Sequence, residues 1–244
     1  MESLRKQSVA EYLAFPRPLT TVDVAVFAVA EGKLQVLLVE RPRTDGEPYP
    51  GMWALPGGFV DVERDSDLRH CALRKLREKT GVSLPYLEQL GSWGGAKRDP
   101  RGWSATHVYF ALIPVESALL PGANAADARW FPVGEHGVRV KLAFDHAEIL
   151  EAAVQRLRNK VEYTSLPAFL LPPEFTLTEL QRAYEIVLGR PIEKSAFRTR
   201  VLTTDLVEPV NRVRAGPNRP ARLFRLRNPA TPVYFPRTFN PREK

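Results

Sequence analysis

"LRKLREKTGV", residues 73–82, and "LPGGFVD", residues 55–61, are the stretches on which the N-terminal fold turns. The first reads as an amphipathic helix running into a glycine stop at Gly81. The second sets Gly57 beside Gly58, a pair that lets backbone come close to a phosphate. Working outward, "TTVDVAVFAVAEGKLQVLLVERP" (20–42) holds two β-rich runs around Glu31-Gly32, a strand-turn-strand signal. A Pro/Gly-rich loop, "RTDGEPYPGMWALPGG" (43–58), separates this pair from the helix. Further strand-like runs follow at "THVYFALIPV" (106–115) and "ARWFPV" (128–133). In "FDHAEILEAAVQRLRNKV" (144–161), Ile149, Ala152, Ala153, Leu157 and Val161 recur at helical spacing. This helix closes a first domain and leads as an arm into a second.

A chain of 244 residues, 44% of them hydrophobic, is long enough for two modest domains with real cores. Its mean hydropathy of -0.25, with no apolar run of eighteen residues, predicts no membrane span. The opening "MESLRKQSVAEYLAFPRP" has no apolar core of a secretory signal, and the single Cys71 rules out an internal disulfide, so a cytoplasmic location is expected. Cys71 reads as a small helix residue rather than a nucleophile. The net charge of +7 is unevenly spread. Residues 156–244 carry 17 Lys+Arg against 8 Asp+Glu, a net of +9, which leaves -2 for residues 1–155 (18 against 20). A basic C-terminal third behind a near-neutral first part points to a polyanion-binding module, with a merely solvated basic surface as the alternative.

That C-terminal module opens at "LLPPEFTLTELQRAYEIVLGRP" (170–191). Thr176 and Glu179 form a capping-box signature. Leu180, Ala183, Tyr184, Val187 and Leu188 make one apolar stripe, and Gly189 and Pro191 end the helix. A second short helix is predicted in "IEKSAFRTRVLTTDLV" (192–207), with Ala196, Phe197 and Val201 inward and Lys194, Ser195, Arg198 and Thr199 outward. "VEPVNRVRAGPNRPARLFRLR" (207–227) reads as two strands around a Gly-Pro-Asn turn, studded with Arg212, Arg214, Arg219, Arg222 and Arg225. Helix, turn, basic helix and basic hairpin are the parts of a winged helix-turn-helix, whose second helix enters the major groove while the wing meets backbone. Arginine suits both tasks, because its fork bonds guanine or bridges phosphates. A small α+β cap or dimerisation domain would share this pattern.

The glycine pair and the helix together resemble the Nudix box, G-x5-E-x7-R-E-U-x-E-E-x-G-U with U a bulky aliphatic. Counting back from Gly81 sets the box arginine on Arg74, its following acid on Lys75, the next two acids on Glu78 and Lys79, and the upstream acid on Ser66. The leading glycine falls on Val60, so two residues are inserted within "VDVERDSDL" (60–68). In a working Nudix enzyme these carboxylates hold magnesium or manganese. Two ammonium groups one helical turn apart reverse the sign of such a site, so no metal, no required cofactor and no catalytic residue is assigned. Glu78 would be catalytic only in a hydrolase, and its plainer reading is an ion pair with Arg74. Asp61, Glu63, Asp65 and Asp67 are possible substitute ligands, and none of His70, His107, His136 and His146 shows metal-ligand spacing.

The whole series, a degenerate box, "YLEQLGSW" (86–93), "RDPRGWS" (98–104), "LAFDHAEIL" (142–150), "FTLTELQRAYEIVLGRPI" (175–192) and "SAFRTRV" (195–201), resembles the NrtR family of Nudix-related transcriptional regulators of NAD metabolism. The resemblance runs from residue 20 to residue 228. It implies a Nudix-like α/β/α sandwich over 20–158 after an N-terminal extension, 1–19, then a winged helix-turn-helix over 159–236 and a tail, 237–244. It further implies a homodimeric repressor that binds a palindromic DNA operator at genes of NAD synthesis or salvage. ADP-ribose or a related NAD-derived nucleotide would be the effector that releases the DNA. By motif, the ligand role falls on Arg98, Asp99 and Arg101, with Gly57, Gly58 and Phe59 along the phosphates and Trp103 as an aromatic neighbour. The recognition-helix role falls on Lys194, Ser195, Arg198 and Arg200, and the wing role on Arg219 and Arg222. Helical projection sets Arg200 beside the apolar side, in reach of phosphate rather than a base. The alternatives are an ADP-ribose pyrophosphatase with a C-terminal appendage and an interaction protein that uses its basic tail for something other than DNA.

Overall fold

The computed structural model describes residues 16–81, 86–117, 128–135, 137–215 and 220–235. Strand β1 (Leu19–Ala30) has eight consecutive buried residues, Thr21 to Ala28, the mark of a central strand covered on both faces. It turns through Glu31 and Gly32, both at positive φ (52° and 71°), into β2 (Lys33–Glu40), as a two-residue hairpin requires. The remaining strands of this sheet are β3 (Trp53–Ala54), β4 (Gly57–Phe59), β5 (Tyr86–Gly95), β6 (Ser104–Leu112) and β7 (Ala128–Pro132). Their order is β3-β2-β1-β6-β5, with β4 paired to β1 and β7 to β2. β1 and β6 run parallel, from Leu19 opposite Ser104 to Phe27 opposite Leu112.

Alternation along the strands divides the side chains between two layers. Val22, Val24, Val26 and Ala28 pack with Cys71, Ala72 and Leu76 of helix α1 (Leu68–Thr80). Ala25, Phe27, Val108, Phe110 and Leu112 face Ile149, Leu150, Ala153 and Leu157 of helix α2 (His146–Val161). The result is the expected α/β/α sandwich.

The second core layer continues without a break into the C-terminal module. Beyond Leu157 and Val161 it takes in Leu166, Leu170, Phe175, Leu180, Tyr184, Val187, Phe197 and Val201. Helix α3 (Leu177–Leu188) starts at the Thr176/Glu179 capping box, with both reciprocal bonds formed, and ends at Gly189 in the left-handed conformation. Helix α4 (Lys194–Thr203) follows, then a hairpin of β8 (Val207–Arg214) and β9 (Ala221–Leu226). Phe175 and Phe224 exchange backbone bonds at 2.9 and 2.8 Å, which docks the hairpin beside the start of α3. Residues 233–235 return to the end of α2, where the Phe235 amide donates to the Tyr163 carbonyl at 2.8 Å. These parts make a winged helix. The boundary expected between residues 158 and 159 falls inside α2, which runs unbroken to Val161 because both modules use its apolar face.

Candidate ligand cleft and nucleic-acid interface

A cleft of about 360 Å³ opens where β1, β4 and α1 meet the loops before β3 and α2, within the size range of small-molecule sites. Gly57 forms part of its floor. A Cβ there would lie 2.1 Å from the Asp23 carboxylate, so this close approach of β4 to β1 admits only glycine. Of the seven residues assigned to the ligand by motif, Gly57, Gly58, Phe59, Arg98, Asp99 and Arg101 all line this cleft. Trp103 does not. It is 52% exposed, and its ring lies against Gly94 on β5.

The three polar residues of the Arg-Asp-Pro-Arg loop differ in what they have left to offer. Arg98 is buried and committed, since its Nε and Nη2 donate to the two oxygens of Asp145 at 2.8 Å each and its Nη1 donates to Ser104 at 3.2 Å. Asp99 is buried and accepts from the Arg101 amide and from both ends of its guanidinium. Arg101 stacks over the half-exposed Phe59 ring at 4.8 Å, so this pair forms one wall of the cleft mouth.

Sequence reasoning missed Asp23, Arg41, Phe144 and His146. Asp23 interrupts the apolar run of β1 and accepts from Thr106 at 2.7 Å, with His146 Nε2 at 3.7 Å and Arg98 at 4.0 Å. Burial pushes its carboxyl up, but His146, the Thr106 hydroxyl and Arg98 more than offset this and hold it below the usual Asp range. His146 takes the Leu55 amide on Nδ1 at 3.0 Å, which leaves the ring proton on Nε2, facing Asp23. Arg41 pairs with Glu47 at 2.7 Å and lies over the Phe144 ring at 4.7 Å. Phe144 and Tyr49, in edge contact at 4.8 Å, both take positive φ (54° and 55°), a strained pair beside the site. A lone carboxylate in an otherwise apolar strand was the signal that could have found Asp23. Arg41 and Phe144 reach the cleft only through tertiary packing.

Around the box, most of the acids are already occupied. Asp65, buried, binds Arg74 through both oxygens and also accepts from the Asp61 amide. The Arg74 bonds hold its carboxyl well below the usual range. Glu78 pairs with Arg74 at 3.2 Å, as the spacing predicts, and with Arg64 at 3.0 Å. Asp67 caps α1 through the His70 amide at 2.7 Å, and Asp61 accepts from the Glu63 amide. Three of the four proposed substitute ligands are thus engaged in local structure. Ser66 stands where the upstream acid would, and Lys75 and Lys79 line the cleft in place of two others. This donor set does not fit a divalent cation, and among the described residues no three His, Cys, Asp or Glu gather as a metal site. Burial raises the Cys71 thiol to about 12, in keeping with an inert core residue.

On the winged helix, Lys194, Ser195, Arg198 and Thr199 are exposed on α4 as expected, with Phe197 and Val201 buried. Ala196, expected inward, is exposed in the first turn of α4, at the rim of a depression it shares with Tyr184, Leu188 and Ile192. Arg200 turns away from the outer face. Its guanidinium lies 4.4 Å over the Phe235 ring and donates to the Glu162 carbonyl at 3.2 Å. Most hairpin arginines are neutralised, Arg212 by Glu174, Arg214 by Glu179 and Arg225 by Glu208. Lys194, Arg198 and Arg222 have no carboxylate within ion-pair distance among the described residues. Arg219 and His136 lie outside the described residues.

A nucleotide-sized cleft in a Nudix-type sandwich, joined to a winged helix with unpaired cations, defines a two-module protein of the ligand-responsive DNA-binding class. Residues 19–153 match the NUDIX domain model, and residues 167–226 match the model of the NrtR DNA-binding winged helix domain. The chain belongs to the NrtR family. It is 48% identical over 223 residues to the ADPR responsive transcriptional repressor NtrR of Acinetobacter baylyi, covering 91% of this chain and 88% of that one. It superposes on Shewanella oneidensis NrtR complexed with a 27mer DNA with a TM-score of 0.79 at 41% identity, over 86% of this chain and 94% of that one. The NUDIX domain of the same Shewanella protein, complexed with ADP ribose, matches with a TM-score of 0.53 at 42% identity over 62% of this chain and 99% of that domain. No helix among the described residues is long and apolar enough to cross a membrane.

Proposed function

We propose that this protein is a cytoplasmic, homodimeric transcriptional repressor whose Nudix-type cleft senses ADP-ribose or a closely related NAD-derived nucleotide. Two winged helices bind a palindromic operator at genes of NAD synthesis or salvage, and the nucleotide releases them. Half-sites lie about one helical turn apart, or a multiple of it. Lys194, Ser195 and Arg198 on α4 and Arg222 on the wing contact the duplex, and Arg200 supports α4 from behind. Arg101, Phe59 and the Gly57-Gly58 backbone receive the nucleotide, while Arg98 and Asp99 hold that wall in place.

The observation that carries this reading is the shared helix. At its start, Asp145 and His146 belong to the cleft through Arg98, Asp23 and Leu55. At its end, Leu157 and Val161 are in the core of the winged helix, and the Glu162 carbonyl takes the Arg200 guanidinium from α4. A ligand that favours one placement of α2 therefore favours one placement of α4. A coupling of about 1–3 kcal/mol would change DNA affinity roughly 5- to 150-fold.

Fluorescence anisotropy on a duplex from upstream of the protein's own gene, against a scrambled duplex at fixed salt, tests the proposal. Preferential binding that ADP-ribose abolishes supports it. Equal binding to both duplexes, unchanged by ADP-ribose, refutes NAD-metabolite sensing at that promoter.

A further inference from the structure

Charged groups around the cleft fall into two classes. Asp23 is held by Thr106, His146 and Arg98; Asp99 by Arg101; Glu47 by Arg41; and Glu40 by Arg43. Each arginine on the lining is in turn matched by one of these acids or by Asp145. Lys75 and Lys79 are the exceptions. Both line the cleft, four residues apart on one face of α1, and neither has a carboxylate within ion-pair distance among the described residues. The nearest acids of the box are already bonded elsewhere, Asp65 to Arg74 and Glu78 to Arg74 and Arg64, and the Glu78 carboxylate feels the Lys75 charge only from beyond ion-pair distance.

The position of Lys75 is specific. A Cβ on Gly58 would lie 3.2 Å from its ammonium nitrogen, so the charge sits directly over the glycine backbone of β4. Gly58 has φ at 149° and lines the same cleft. Lys75 thus stands against the glycine backbone of the floor, and Lys79 lines the same cleft one helical turn further on, neither of them in an ion pair among the described residues. A phosphoanhydride bridge esterified at both ends, as in a nucleoside diphosphate sugar, carries two negative charges at neutral pH, so it matches this excess in number and kind.

We propose that Lys75 and Lys79 form a metal-free pyrophosphate clamp, occupying with fixed protein charge the place that a hydrolytic site gives to divalent cations. The proposal rests on the nucleotide-sensing reading above and specifies its chemistry. The ligand class is a nucleoside diphosphate or its ester, recognised by its bridge and bound without magnesium. The clamp also separates binding from cleavage. Ammonium groups stabilise the bound dianion, but they do not generate the metal-bound hydroxide that would attack it. The sensor therefore keeps its ligand intact.

Isothermal titration of the full chain with ADP-ribose, once in EDTA and once in magnesium, is the test, repeated on Lys75→Gln, Lys79→Gln and the double variant. The lysines are half-buried and exposed, so these substitutions leave the core untouched. The clamp predicts equal affinity in EDTA and magnesium. It predicts a loss of about tenfold for each lysine, the scale of one charge-assisted hydrogen bond. ADP-ribose binding that requires magnesium, or that survives in the double variant, overturns the clamp and leaves nucleotide sensing standing. If ADP-ribose binds under neither condition, the sensing reading fails, and inorganic pyrophosphate decides the clamp. Pyrophosphate binding that disappears in the double variant upholds it, and no pyrophosphate binding to the parent chain overturns it.

Discussion

Replacing Asp145 with Asn tests whether the link between cleft and α2 is an ion pair or only packing. Asp145 stands at the N-cap of α2 yet makes no side-chain capping bond, so the substitution acts on the Arg98 pair alone. The parent pair has two bonds of 2.8 Å, and the Arg98 side chain is only 8% exposed. Asn keeps one acceptor but turns an amide N–H toward a guanidinium N–H and removes the charge. Breaking a buried pair by deleting one partner costs about 3–5 kcal/mol. Here Asp145 is 18% exposed and Asp23 still stands 4.0 Å from Arg98, which lowers the expected cost to about 2–3 kcal/mol. For a chain of this size that corresponds to a fall of about 5–10 °C in Tm. Differential scanning calorimetry at pH 7 reads it directly. A variant that melts within about 1 °C of the parent would refute the argument, because Arg98 would then be satisfied without its carboxylate.

Other consequences can be measured as simply. Asp65 has a folded pKa held below its unfolded value of about 3.9, so its bond to Arg74 contributes stability above that pH that is lost as pH falls through the folded value. Urea midpoints between pH 5 and pH 2 should therefore fall less steeply in Asp65→Asn than in the parent. On a duplex the chain recognises, Arg198→Ala and Arg222→Ala should each weaken binding and lower the salt slope by about one, whereas Arg225→Ala, whose charge is spent on Glu208, should leave the slope unchanged. Thr176→Ala removes one arm of the capping box and should cost about 1 kcal/mol in chemical denaturation. Gly57→Ala would drive a methyl group into Asp23 and should abolish nucleotide binding in titration calorimetry.

Much of this molecule was legible in its sequence because local signals and tertiary needs agree. The Glu31-Gly32 turn, the Thr176/Glu179 cap, the left-handed glycines at 81 and 189 and the apolar stripe of α3 all lie where short-range rules put them. The loop before α1 hid β3 and β4, which have two and three residues and are too short to show a period. β5 was not recognised as a strand either. Its glycines and the register shift between Gln89 and Gly91 break the alternation. In the cleft, motif reading pointed to the Arg98 loop and both glycines but carried no information on what each arginine has free. Whether a guanidinium is available depends on partners such as Asp145, 47 residues away along the chain. The same limit applies to Arg200, whose aromatic partner lies in the returning C-terminal segment.

Because α2 is built into both modules without an intervening loop, its length acts as a gear setting. One residue added to or taken from its middle would turn everything downstream by about 100° and shift it by about 1.5 Å relative to the cleft. The orientation of α4 relative to the cleft is thus written in the count of residues between Asp145 and Glu162. Natural variation in this protein should accumulate in loops and on surfaces while leaving that count alone.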